Sequence, residues 1–312
     1  MKIVPAIRLA DVASFLNAKY IGDDGFQITG INEIHKVEKG DITFVDHPKY
    51  YDKALNSAAT TILINKEVSC PEGKALIISD DPFRDYNLLT RKYRPLTFSL
   101  QQVDQTAVVG EGTVLMQGSV VGAHCKVGRN CLIYPGVVIY DHCEIGDGVI
   151  IHANSVIGAD AFYFKRRPEG FDKMHSCGRV IIGDYVEIGA SCTIDKGVSG
   201  DTVIGSGTRM DNHVHVGHDT VIGKNCLFAA QVGIAGVVTI EDDVILWGQV
   251  GVQKDLTIGK GAVVLGQSGV GKSLEAGKTY FGSPTTDARL KMRELALMKR
   301  LPEVFEFLDN KK

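Results

Sequence analysis

A parallel β-helix of three-sided coils, with a small α/β domain before it and a short helical tail after it, is the mainly β fold predicted for this 312-residue chain. Three observations predict it. An apolar residue recurs at every sixth position from Val109 to Ile157, from Ile182 to Ile194 and from Ile204 to Val270. Glycine often follows that residue, as at Gly110, Gly128, Gly146, Gly205 and Gly223, which suits a corner needing unusual torsions. The period is absent from the first hundred or so residues and from the last thirty. Six residues match neither the repeat of an α-helix nor that of an ordinary strand. A chain that turns every six residues wraps a triangular prism, with one aliphatic side chain inward per face and eighteen residues per coil; 24 such hexads make about eight coils.

Residues 1–98 read as an α/β domain. Periodicity and turn signals predict helices near Leu9–Ala18, Pro48–Ser57 and Pro82–Tyr93, and strands near Phe26–Ile31, Asp41–Val45, Thr61–Ile64 and Ala75–Ser79. A linker near Pro95–Gln105 leads to the β-helix, residues 105–282. Its frame breaks at Gly158–Ile181, a stretch too long for a corner and so expected as an extruded loop with Phe162, Tyr163 and Phe164 as an apolar wall. Residues 284–312 form the tail, a basic helix kinked or stopped at Pro302.

The net charge of −3 argues against nucleic acid as a partner. Seven scattered cysteines without C-x-x-C pairs indicate neither a disulfide framework nor a zinc knuckle, and fit a reducing cytoplasm. No stretch approaches the length of a membrane span, and the first residues lack the apolar core of a secretion signal.

The segment DNHVHVGHD, Asp211–Asp219, concentrates three of nine histidines. With Val216 inward, His215 and His218 point outward and Thr220 takes the small inward position. A solvated cluster, a metal site formed by converging imidazoles and a general base are the three readings of these histidines. A prism face is flat, so an outward histidine gains a cleft when another copy packs beside it, and a three-fold ring is expected. Gly236 lies one coil beyond His218, placing an unhindered amide beside the base, as acyl transfer requires for its oxyanion. GQSGVGKS, Gly266–Ser273, matches the P-loop pattern literally, yet it sits in the hexad frame with no room for a phosphate-capping helix. Lys272 is left as a cation at the rim of the last coil, available to a carrier-arm phosphate or to solvent.

ITGINEI, DITFVDHPKYYDKAL, the GADAF loop followed by GRVIIGDYVEIGASCTIDKG, and DNHVHVGHD together resemble the UDP-3-O-(3-hydroxyacyl)glucosamine N-acyltransferases over nearly the whole chain. The resemblance implies a left-handed β-helix, a homotrimer in the cytoplasm and a role in lipid A biosynthesis. It implies no bound cofactor or metal, and acyl carrier protein as donor through its 4'-phosphopantetheine thioester. Residue by residue, it implies His218 as general base and Gly236 as oxyanion donor. Phe44 and Tyr50 would meet the uracil, and His47, Asp211, Asn212, His215 and Asp255 would be further residues of the UDP-sugar site. From the residues themselves, Gly269 and Lys272 are expected to meet the acyl chain or its carrier, the small Gly266, Ser268, Gly269 and Gly271 leaving an acyl groove long. His47 stands where the family usually has Asn, Asp255 where it has His, and Lys272 where it has Arg. Four other readings compete: a UDP-N-acetylglucosamine O-acyltransferase, an acetyl-CoA-dependent sugar N-acetyltransferase, a catalytically silent paralogue and a metal-dependent β-helix enzyme.

Overall fold

The structure is a computed structural model that describes residues 1–97 and 99–310. The expected domain boundary at Phe98 and the last two residues, Lys311 and Lys312, lie outside the described residues. The first domain places β1 (Lys2–Arg8), α1 (Leu9–Leu16), β2 (Lys19–Ile21), β3 (Gln27–Ile31) and β4 (Asp41–Val45) before a 3-10 turn at Pro48–Tyr50. After the turn come α2 (Tyr51–Leu55), β5 (Thr61–Ile64), β6 (Ala75–Ile78) and α3 (Pro82–Tyr93). The six strands form one sheet in the order β1-β3-β4-β5-β6-β2, parallel from β3 to β6 and antiparallel at both edges. β1 and β2 were not legible in the sequence. Pro5 interrupts the first, which demotes it to an edge, and the second is only three residues long.

From Val108 to Phe281 the chain winds through three parallel sheets. The hexad residues from Val121 to Val270 are all buried in one continuous core. Each such side chain stabilises the coil stack by about 1.5–3 kcal/mol relative to exposure. Five cysteines, Cys125, Cys131, Cys143, Cys192 and Cys226, fill the second inward position four residues after the aliphatic one; they are buried free thiols serving as small apolar filler.

The glycine that follows the aliphatic residue has a different cause from the one expected. Its torsions are ordinary at Gly128 and Gly205, but a β-carbon there would lie 2.4 and 2.3 Å from backbone atoms of the next coil. Close stacking of backbones demands it. The left-handed corner falls two residues later and is occupied by Asn130, His142, Asn154, His213, Asp219 and Asp255, among others.

Lys126 pairs with Glu144, Glu144 with Ile181, Ile181 with Val203 and Val203 with Val221, so the ladder separations are 18, 37, 22 and 18 residues. Two insertions are therefore extruded. The first carries an antiparallel hairpin, Phe164–Arg167 with Gly170–Lys173. Lys165 bonds Asp46, and Arg167 bonds Asp81 at 2.6 Å, tying the hairpin to the first domain. The second adds four residues around Lys196–Gly200. Ala161, Met174 and Val198 from these insertions share one core with Leu9, Ile28, Ile77 and Tyr86, so the first domain docks on the places where the hexad fails.

The tail is two helices where one was expected. Asp287 caps α4 (Ala288–Met298) by accepting from the Leu290 N–H at 3.1 Å. Pro302 sits in the first turn of α5 (Leu301–Asp309), where its missing N–H costs nothing, so it starts a helix instead of kinking one.

Candidate active site

Val216 points into the prism, and three residues later the chain turns a left-handed corner at Asp219, φ 57°. That turn sets His218 outward and folds the Asp219 carboxylate back beneath it. His218 Nδ1 bonds Asp219 Oδ2 at 3.0 Å, and the same oxygen accepts the Val198 N–H at 2.9 Å. Burial opposes the Asp219 charge, but the bonds from His218 and Val198 outweigh it and hold the carboxyl below its ordinary range. With Nδ1 committed to Asp219, Nε2 carries the lone pair and faces the cleft.

Gly236 stacks on His218, and the Val237 N–H donates to His218 O at 2.8 Å. A β-carbon on Gly236 would stand 2.6 Å from His218 Nε2, so only glycine leaves the ring its position. Among the described residues the Gly236 N–H donates to no protein group, unlike its neighbours Ala235 and Val237. A free donor beside an oriented imidazole can remove a proton from a nucleophile and receive a developing oxyanion.

Both residues line a cleft of about 1380 Å³ between the β-helix and the first domain. Phe44, His47, Tyr50 and Lys53 wall it on one side, His215, Gly233, Gly251 and Asp255 on the other, and Tyr163 closes the end, its ring 6.2 Å from that of His218. His215 Nδ1 bonds Thr193 Oγ1 at 2.8 Å. His215 and His218 therefore have separate partners, and among the described residues the segment's imidazoles form no ligand set.

Phe44 and Tyr50 differ in setting. Phe44 is half-buried, its ring 4.7 Å from Tyr86 and 6.1 Å edge-on to Phe83, while Tyr50 is exposed at the rim with its ring 5.9 Å from His47. His47 Nδ1 accepts from the Lys49 N–H at 3.2 Å, capping the 3-10 turn that presents Tyr50.

Not all of the expected residues come together. Asp211 and Asn212 stand at the next corner of the prism, lining a separate hollow of about 450 Å³ with Trp247 and Leu227, both partly exposed. Gly269 and Lys272 lie outside the cleft. Gly233, Gly251 and Gly269 do stack in register as a stripe without side chains. The first two face open space, whereas a β-carbon on Gly269 would meet Ser283 Oγ at 2.6 Å. Ser268 is buried and accepts the Gly282 N–H at 3.0 Å, so it belongs to the interior and not to a groove. Lys272 is exposed and the residues directly after it form turns and a short strand, not a helix, so the P-loop pattern has no structural counterpart.

Sequence reading passed over Glu33 and His35, which sit under His218 at the docking junction. The signal was present: the four-residue slip between Ile194 and Ile204 marks the loop that receives them. Glu33, His35 and Asp219 each offer an atom within 4.8 Å of the others. Burial, with the neighbouring Asp219 charge, pushes the Glu33 carboxyl up to about 8.

Residues 26–92 match the family profile of UDP-3-O-(3-hydroxymyristoyl) glucosamine N-acyltransferase, and 106–141, 124–159 and 201–236 match bacterial transferase hexapeptide repeats. A UDP-3-O-acylglucosamine N-acyltransferase of Nitrosococcus oceani is 38% identical over 243 residues, 68% of this chain and 69% of that one. The chain belongs to the UDP-3-O-acylglucosamine N-acyltransferase family. A second member of the family, from Dechloromonas aromatica, is 36% identical over 68% of this chain and 67% of its own. Among solved structures, a UDP-N-acetylglucosamine acyltransferase from Campylobacter jejuni aligns with a TM-score of 0.55 at 21% identity, over 59% of this chain and 71% of that one, a likeness of fold.

Proposed function

We propose that this cleft transfers a 3-hydroxyacyl group from the phosphopantetheine thioester of acyl carrier protein to the 2-amine of a UDP-3-O-acyl-glucosamine, a step of lipid A biosynthesis. The carrying observation is His218 Nε2 beside the uncommitted amide of Gly236, in a cleft shared with the first domain. His218 takes a proton from the amine as its nitrogen attacks the thioester carbonyl. The Gly236 N–H receives the oxyanion, and the C–S bond breaks as the imidazolium returns the proton to the leaving sulfur, giving an amide and a free thiol. Asp219 holds the ring and stabilises its cationic form. The chemistry needs no metal or bound cofactor.

Tyr50, with Phe44 behind it, stacks the uracil, and His47 orients it; His215 and Asp255 face the sugar-phosphate portion. Tyr50→Ala is expected to raise the KM for the UDP-sugar about tenfold, as loss of one base–aromatic stack implies, with kcat nearly constant. Steady-state kinetics in both substrates measure this, and an unchanged KM removes Tyr50 from the site. Phe44 is a poorer probe, because truncating it also unpacks Tyr86 and Phe83.

The glycine stripe offers the acyl chain a path free of side chains, with Lys272 at its far end for the carrier. Each methylene buried there contributes about 0.8 kcal/mol, which favours longer chains until a wall is met. Gly251→Met, in open space, is expected to shift preference toward shorter thioesters by several carbons. Competition among acyl-carrier thioesters reads this out, and unaltered selectivity places the groove elsewhere.

Asp211 and Asn212 join this site when copies close a homotrimer. They and His218 occupy the two corners flanking one prism face, so a three-fold ring sets one copy's Asp211 corner against the next copy's His218 corner. The partly exposed Trp247 and Leu227 beside Asp211 supply apolar surface for that contact. Among the described residues no helix is long and apolar enough to cross a membrane, consistent with work in the cytoplasm on a soluble carrier.

A further inference from the structure

Beneath His218 two carboxylates from different domains face each other. Glu33, only 8% exposed, has Oε2 without a hydrogen-bond partner, and Asp219, 2% exposed, has Oδ1 without one. An unpaired buried oxygen is costly, more so when charged. One proton between them satisfies both.

We propose that Glu33 is a positioning residue for acyl transfer: it stays protonated and donates to Asp219 Oδ1, fixing the carboxylate whose Oδ2 orients His218.

This rests on the reading of His218 as the base. The four-residue insertion is shaped around the pair. A β-carbon on Gly197 or Gly200 would come within 2.8 or 2.9 Å of Asp219 Oδ1, and Ser199 Oγ accepts the Glu33 N–H at 2.8 Å. Glycine at both positions keeps side chains off that flank of Asp219 Oδ1. The two carboxyl groups are also driven apart in acidity, with Glu33 pushed up to about 8 and Asp219 held below the usual range, so the pair carries one proton at neutral pH. The other groups facing it are His35 on the same segment, His218 and Cys177 from the β-helix, Tyr86 from α3 and Tyr163 from the hairpin loop. The Met1 ammonium bonds Ser199 O at 2.6 Å nearby. Because Glu33 comes from the nucleotide-facing domain, seating that domain completes the support of the base.

The test uses the whole chain and four variants. Glu33→Gln keeps an N–H donor and is expected to retain at least a third of kcat at pH 7, whereas Glu33→Ala loses tenfold or more with little change in KM. Wild-type kcat is expected to fall as pH rises through about 8, where Glu33 ionises and repels Asp219, and Glu33→Gln to lack that limb. Infrared difference spectra of wild type against Glu33→Gln report the protonated carboxyl without turnover. Its carbonyl band should be present at pH 7, titrate near 8, and titrate lower in Asp219→Asn. An ionised Glu33 at pH 7, an alkaline limb unchanged in Glu33→Gln, or a stoichiometric metal lost in Glu33→Gln each overturns the proposal. Should His218→Ala stay active while the carboxyl band behaves as described, the reading of the base fails and the shared proton stands.

Discussion

His218→Ala lowers kcat about a hundredfold or more, the usual loss when a positioned general base is removed, while thermal stability and oligomer mass stay near wild type. The side chain is outward and contributes nothing to the hexad core, so truncating it leaves coil stacking intact. The carboxylate of Asp219 remains, held by the Val198 N–H, but cannot reach across the missing ring. A second result follows from the shared site. Inactive His218→Ala chains mixed and reassembled with inactive Asp211→Ala chains should recover part of the activity, because some interfaces in a mixed ring pair an intact Asp211 corner with an intact His218. Single-turnover assays on the variant and the mixture measure both. Near-normal turnover by His218→Ala removes it as base, and absence of recovery confines the site to one copy.

Gly236→Ala lowers kcat about a hundredfold as well, through a different physical route. The backbone at Gly236 has a negative φ that alanine accepts, so the added methyl costs no torsional strain. It does collide with His218 Nε2, and a reacting group displaced by an ångström can lose a factor of about 10². The loss should fall on kcat with the UDP-sugar KM little altered, since Phe44 and Tyr50 lie on the opposite wall. The control is Gly233→Ala, which faces open space and should cost far less. Equal effects at the two glycines would show that Gly236 is only a corner residue.

The β-helix was legible because each face must bury one aliphatic side chain per coil, and that requirement writes itself into the chain from Val109 to Val270. The reason for the glycines was not legible. A residue pattern records that a side chain is missing, not whether a torsion or a neighbouring backbone forbids it, and at Gly128 the neighbour decides. The stacking of Gly236 on His218 followed from counting one coil, since no insertion intervenes between them. Counting could not place Asp211 and Asn212 in the same cleft as His218, because a prism sends successive corners in different directions. Glu33 escaped notice for a related reason. Its meaning depends on the docking of two domains, in which Glu33 meets Ser199, 166 residues away, a contact that no local period encodes. Pro302 shows the limit in the tail, where the same residue type ends a helix or begins one depending on which turn it occupies.

The most direct test offers the purified protein equal amounts of UDP-3-O-acyl-glucosamine and UDP-N-acetylglucosamine with 3-hydroxyacyl-carrier thioester, and identifies the product by fragmentation mass spectrometry. The account predicts an amide at the 2-amine of the first substrate, one free carrier thiol per amide formed, and no ester on the second. Ester formation on UDP-N-acetylglucosamine, or no acyl transfer to either sugar, would contradict it.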